Sequence, residues 1–184
     1  MNCYLCIDLE ATSRRSGLLV EMEAIELGVV AVDESGVTIG EYQSYIKPKF
    51  TELTNYSTSI HNITQSALDS ALYLPAVLRE FQQWMATLPN TPTRWYSWGS
   101  YDIRQLELDA GPERWNVALN LPEHLNAKKL FQKNQLKKGR QVGLKKALNL
   151  VGCEFVGQKH SALDDARNIA CLFEFFHTNE RAQN

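Results

Sequence analysis

Apolar residues occupy both faces of the chain from Cys3 to Ile7, and the pattern breaks only where acids enter at Asp8 and Glu10, which predicts a buried strand over residues 3 to 9. A second β-rich run covers 23–33 (EAIELGVVAVD). Turn-forming Asp33-Glu34-Ser35-Gly36 follows, and 37–47 resumes with polar and apolar residues partly alternating. Three strands joined by short turns predict an antiparallel meander that ends at Pro48. Beyond a loop the period becomes helical. A short helix is expected over 64–70 and a longer one over 75–88, where Val77, Leu78, Phe81, Trp84, Met85 and Leu88 recur at helical spacing. The aromatic run 94–98 reads as a fourth strand, and Ser100 as the cap of a helix reaching about Asp109. Helical patterns follow at 124–133 and 143–150, with a final helix over 161–177. This order predicts one α/β domain around a mixed sheet over residues 1–178, with a C-terminal tail at 179–184.

With 184 residues, 44% hydrophobic and 22% charged, the chain can build a core and lacks the bias of disordered, collagen-like or disulfide-stapled proteins. The longest nearly apolar run, Ile25 to Val32, contains Glu26 and is too short to span a bilayer, so no membrane partner is expected. The first ten residues hold two acids and no Lys or Arg, unlike a secretory signal, and a cytoplasmic location is expected. Cys3 and Cys6 form a CxxC, but on a strand this odd spacing sends the thiols to opposite faces, which argues against a redox pair. The net charge of −2 hides an uneven distribution. Residues 1–41 hold eight acids and two bases, whereas 128–146 hold eight of the 19 bases and no acid. That basic stretch is either a solvated helix face or the footprint of a polyanion.

Candidate chemistry begins with Asp8 and Glu10, which leave the same face of the first strand. Two like charges at the end of an apolar strand resist desolvation, a cost that makes sense if a cation sits between them; the alternative is a strand end dipping into solvent. Near the C-terminus, Ser161 and Asp164 have capping-box spacing, which gives Asp164 a structural duty and leaves Asp165 without one. Asp165 lies one turn before Ile169, beside the stripe of Ala162, Ala166, Ile169, Ala170 and Phe173, and so is expected to face the sheet. His160, just before this helix, is positioned to take a proton from an attacking water, or is an ordinary polar residue. Asp102 follows the fourth strand directly; a first-turn acid favoured by the helix dipole is its blander reading. Together Asp8, Glu10, Asp102 and Asp165 form an oxygen-only ligand set suited to Mg²⁺ or Mn²⁺ and not to zinc.

The stretches Cys6-Ile7-Asp8-Leu9-Glu10-Ala11-Thr12, Trp98-Gly99-Ser100-Tyr101-Asp102 and His160 to Ala170 resemble the three motifs of the DEDDh (DnaQ-like) 3′-5′ exonuclease superfamily. All five eponymous positions are matched, by Asp8, Glu10, Asp102, His160 and Asp165. The run from Leu53 to Gln65 is similar to a loop of the enhanced-RNAi or histone-mRNA 3′-exonuclease branch and its short bacterial relatives. The resemblance implies a ribonuclease H-like fold with a five-stranded mixed sheet flanked by helices. It implies two Mg²⁺ ions, replaceable by Mn²⁺, with His160 as general base. It further implies hydrolysis of single-stranded RNA or DNA 3′ ends to 5′-mononucleotides, with RNA preferred. Tyr56 and Tyr101 are the expected sandwich for the terminal base, the backbone and side chains of Glu10, Ala11 and Thr12 are expected to grip its 3′-hydroxyl, and His61 is counted with the substrate-binding positions. Two positions depart from the branch: Asn62 stands where it has glycine, and His61 where it has threonine. His61 is instead similar to the proofreading loop, which keeps a DNA-directed repair exonuclease open as an alternative. A non-catalytic RNA-binding module on the same fold is the other.

Overall fold

The structure is a computed structural model that describes residues 2–136 and 139–177; the predicted tail at 179–184, with Lys137 and Lys138, lies outside them. Strands β1 (Cys3–Ala11), β2 (Ala24–Asp33) and β3 (Thr38–Lys47) form the expected antiparallel meander. The tight turn between β2 and β3 is held by Asp33, whose Oδ1 accepts hydrogen bonds from the N–H groups of Ser35 and Val37, with Gly36 at φ 83°. β5 (Pro92–Ser97) lies parallel to β1 on its other side.

Among the described residues the sheet has six strands, not the expected five, in the order β4 (Leu72–Tyr73), β3, β2, β1, β5 and β6 (Glu123–Asn126). β4 is only Leu72–Tyr73, beside β3. β6 (Glu123–Asn126) falls where the sequence pattern predicts helix, and it pairs in parallel with β5. Pairing along the open edge of β5 decides its conformation, against the local pattern. The helix starts only afterwards, as α5 (Ala127–Phe131), capped by Asn126, whose side chain accepts from Lys129 N–H.

Alternation along β1 sorts the two faces. Leu5, Ile7 and Leu9 pack with α3 (Leu74–Thr87) and α4 (Tyr101–Ala110), while Tyr4 and Cys6 pack with α5, α7 (Ala162–Cys171) and α8 (Phe173–Phe176). Cys3 and Cys6 accordingly lie in different layers. The expected single helix over 161–177 is broken at Leu172, φ −92° and ψ 2°. That break lets Phe173 and Phe176 both reach Tyr96, with ring centroids 5.9 and 5.1 Å away. The remaining α-helices among the described residues are α1 (Asn55–His61), α2 (Gln65–Asp69) and α6 (Leu144–Leu150), with a 3₁₀ turn at Leu19–Glu21 and a π-helical turn at Gln132–Leu136. α1 is too polar to show an apolar stripe and carries no periodic signal. Among the described residues no helix is long and apolar enough to cross a membrane.

Candidate active site

Opposite Asp8 in the β1–β2 ladder stands Gly28, and opposite Glu10 stands Glu26. A Cβ on Gly28 would lie 2.1 Å from the carbonyl carbon of Ala162 and 2.2 Å from the nitrogen of Leu163. The first turn of α7 therefore rests on bare backbone. This seating brings Asp165, one turn into α7, and His160, just before it, to the face from which Asp8 and Glu10 emerge. The ligating atoms of Glu10, His160 and Asp165 lie within 4.8 Å of one another. His160 has φ 62°, its N–H donates to Asp165 Oδ2 at 3.1 Å, and its Nδ1 is 3.8 Å from Glu10 Oε1. Asp102 arrives from the first turn of α4. Its Oδ1 accepts from the N–H of Leu9 at 3.2 Å, which ties it to the strand between Asp8 and Glu10.

The expected capping box does not form. Ser161 makes no side-chain cap bond, and Asp164 turns outward to accept from Gln158 N–H at 2.7 Å and to pair with Arg167 at 2.8 Å. The N-terminus of α7 is met instead by Glu26, 2% exposed, whose Oε2 accepts from Ala162 N–H at 3.1 Å while Oε1 accepts from Gln43 Nε2 at 2.6 Å. Sequence reasoning missed this residue. Its signal was an acid inside the nearly apolar run from Ile25 to Val32.

Charges at the site are strained. Burial, then the carboxylates of Asp102, Asp165, Glu10 and Glu26, hold Asp8 well above the usual carboxylate range. Burial and then Asp165, Glu26 and Asp102 push Glu10 up to about 8. Burial lifts Asp102 to about 6 against the N–H bonds it receives, and lifts Asp165 to about 6 against the His160 N–H. Four carboxylates crowded in this way, offering only oxygen, fit a hard divalent cation that would offset their repulsion. Burial and then Lys159 pull His160 below its ordinary value, so its ring is neutral at pH 7.

The expected substrate residues divide into two groups. Tyr56 and Tyr101 are 40% and 39% exposed. Tyr56 is the second residue of α1, which the next residue pins beside the end of β1: Ser57 Oγ donates to the Ala11 carbonyl and accepts from Ser13 N–H. Tyr101 lies beside Asp102, its hydroxyl 3.9 Å from Met22 Sδ. The segment carrying Met22 is clamped in turn by a buried Arg114–Asp109 pair. Arg114 donates to the carbonyls of Val20 and Met22, and Asp109 accepts from Ala24 N–H.

Ala11, Thr12 and His61 are instead buried, at 2%, 0% and 2% exposure. The Thr12 hydroxyl is engaged with Thr51 and with the N–H of Glu23. His61 Nδ1 accepts from Ile63 N–H, which leaves Nε2 to carry the proton and donate to Ser57 Oγ at 2.8 Å. Burial, followed by His160, pulls His61 down to about 4, as this neutral, wholly internal role requires. Asn62 closes α1 in the left-handed region at φ 60°, a conformation glycine would take freely.

Residues 5–173 match the family model described as exonuclease. ERI1 exoribonuclease 2 of Danio rerio is 30% identical over 186 residues, covering 91% of this chain and 34% of its own. The 3′-5′ exoribonuclease 1 of Homo sapiens is 30% identical over 176 residues, covering 91% and 50%. The chain thus spans half or less of these relatives. Among solved structures, the nuclease domain of 3′hExo, a DEDDh family member bound to rAMP, superposes with a TM-score of 0.84 at 25% identity, covering 97% of this chain and 96% of that one.

Proposed function

The chain belongs to this exonuclease family, and from that premise we propose that it removes 5′-mononucleotides from the 3′ ends of single-stranded nucleic acid, preferring RNA, with two Mg²⁺ ions as cofactor. The observation that carries the reading is the convergence of Asp8, Glu10, Asp102 and Asp165, from β1, α4 and α7, around a neutral His160. These four carboxylates would hold the ions, which when bound supply Lewis acidity for the attacking water and the leaving oxygen. His160 takes the water's proton. Its Nδ1, 3.8 Å from Glu10 Oε1, is the ring nitrogen that faces the carboxylates. Tyr56 and Tyr101 offer the exposed ring surface on which the terminal base stacks, worth ~1–3 kcal/mol per base.

RNA preference is supported by the exoribonuclease relatives and the rAMP-bound neighbour. The DNA-directed alternative rested on His61, whose ring is spent inside the protein. The binding-module alternative would call for loss of a ligand, and all four acids are present. Matched RNA and DNA strands test the preference: faster shortening of RNA is expected. Equal rates would overturn the preference and leave the exonuclease reading intact.

A further inference from the structure

A groove of about 630 Å³ runs along the open edge of the sheet, lined by His124, Leu125 and Asn126 of β6 and by Lys129, Leu130 and Lys133. β1, β5 and β6 are parallel, so the groove's Asn126 lies at the same end of the sheet as Glu10. Three hydrogen bonds tie together this edge, the end of β5 with the loop that delivers Asp102, and the chain beyond the groove. Asn126 Nδ2 donates to Ser100 Oγ at 2.9 Å, and His124 Nε2 lies 3.0 Å from Ser97 Oγ. Trp98 Nε1 donates to the Val142 carbonyl at 3.1 Å, which draws the loop after the groove to the same place.

Charge on the groove itself is of one sign, the acid of this edge, Glu123 at the far end of β6, being paired with Arg94. Lys129, Lys133 and Arg140 are exposed, and no acid occurs between 128 and 146. Among the described residues neither groove lysine is engaged by an ion pair. An unpaired basic groove tied directly to a hydrolytic site fits a ligand that is anionic at regular intervals and already anchored in that site. Apolar Leu125 and Leu130, which line the same groove, add surface for bases.

We propose that this groove carries the substrate strand upstream of the scissile phosphate, Lys129 and Lys133 each contacting a backbone phosphate. The proposal rests on the exonuclease reading above. It is tested by binding, which needs no cleavage. In an Asp8→Asn background, anisotropy of a labelled twelve-nucleotide strand and of a labelled dinucleotide is compared with and without Lys129→Gln and Lys133→Gln together.

The long strand is expected to bind more tightly than the dinucleotide, and the double variant to shrink that advantage about tenfold. The salt slope should become shallower by about 1.4, at about 0.7 per phosphate on a single strand. An unchanged advantage and slope would overturn the groove, as would an equal loss on the dinucleotide. So would displacement of the strand by a poly-glutamate peptide as effective as unlabelled RNA, since the groove would then read charge alone. An unchanged thermal midpoint in the double variant checks the fold. Failure of wild-type protein to shorten any strand would sink the exonuclease reading separately, without touching the binding result.

Discussion

The backbone N–H of Ala162 donates to Glu26 Oε2 across 136 residues of chain, so an acid that is not among the catalytic candidates fixes where the helix bearing Asp165 begins. Glu26→Ala removes the acceptor and leaves a buried N–H unpaired, whereas Glu26→Gln keeps an oxygen there and removes a charge from a crowd of carboxylates. The Ala variant should be less stable than the Gln variant by about 1–3 kcal/mol, a thermal midpoint lower by about 2–12 °C. Activity should follow the same order. Equal midpoints for the two variants would show that the bond positions nothing.

Gly28→Ala places a methyl group 2.1 Å from the backbone of Ala162, which has no flexible end to yield. Overpacking of this kind costs about 1–3 kcal/mol in ordinary cores, and lifting α7 from the sheet also separates Asp165 from Asp8. The variant should fold with a lower midpoint and lose the added stability that a divalent cation gives the wild type. Retention of that cation response in calorimetry would contradict the seating of α7 as the device that assembles the site.

Raised carboxylates make stability depend on pH in an unusual direction. Glu10 titrates at about 8 and Asp102 and Asp165 at about 6 in the folded, cation-free protein, against about 4 in the unfolded chain. The folded state therefore binds more protons, and the contribution of these groups is full below about pH 4 and is lost as pH rises through 6 and 8. A divalent cation replaces those protons. Its effect on the midpoint, measured against EDTA, should be larger at pH 8 than at pH 5. Equal shifts at the two pH values would contradict the assignment of these acids to the cation.

Where the chain's own pattern decides a conformation, the sequence was legible. β1 and β2 are dense apolar runs, β3 partly alternates and β5 is an aromatic run, and the Asp8–Glu10 spacing and inward-facing Asp165 follow from strand and helix periods alone. What failed was settled by distant partners. β6 is a strand paired along the edge of β5, and the break at Leu172 lets two rings reach Tyr96. The polar side-chain atoms of Thr12 and His61 are claimed by Thr51, Glu23 and Ser57, partners that no spacing along the chain reveals. Spacing shows which residues share an element, and it does not show which hydrogen bonds a neighbouring loop will claim.

The central claim is met most directly by incubating the protein with a 5′-labelled single-stranded RNA, in Mg²⁺ or in EDTA, beside the Asp8→Ala and His160→Ala variants. Wild type in Mg²⁺ should yield a ladder shortening from the 3′ end, and EDTA or Asp8→Ala should abolish it. His160→Ala should slow the single-turnover rate by about 10²–10⁴, as expected for loss of a general base. Absence of a ladder with wild type, or an Asp8→Ala variant that cuts as fast, would contradict the account.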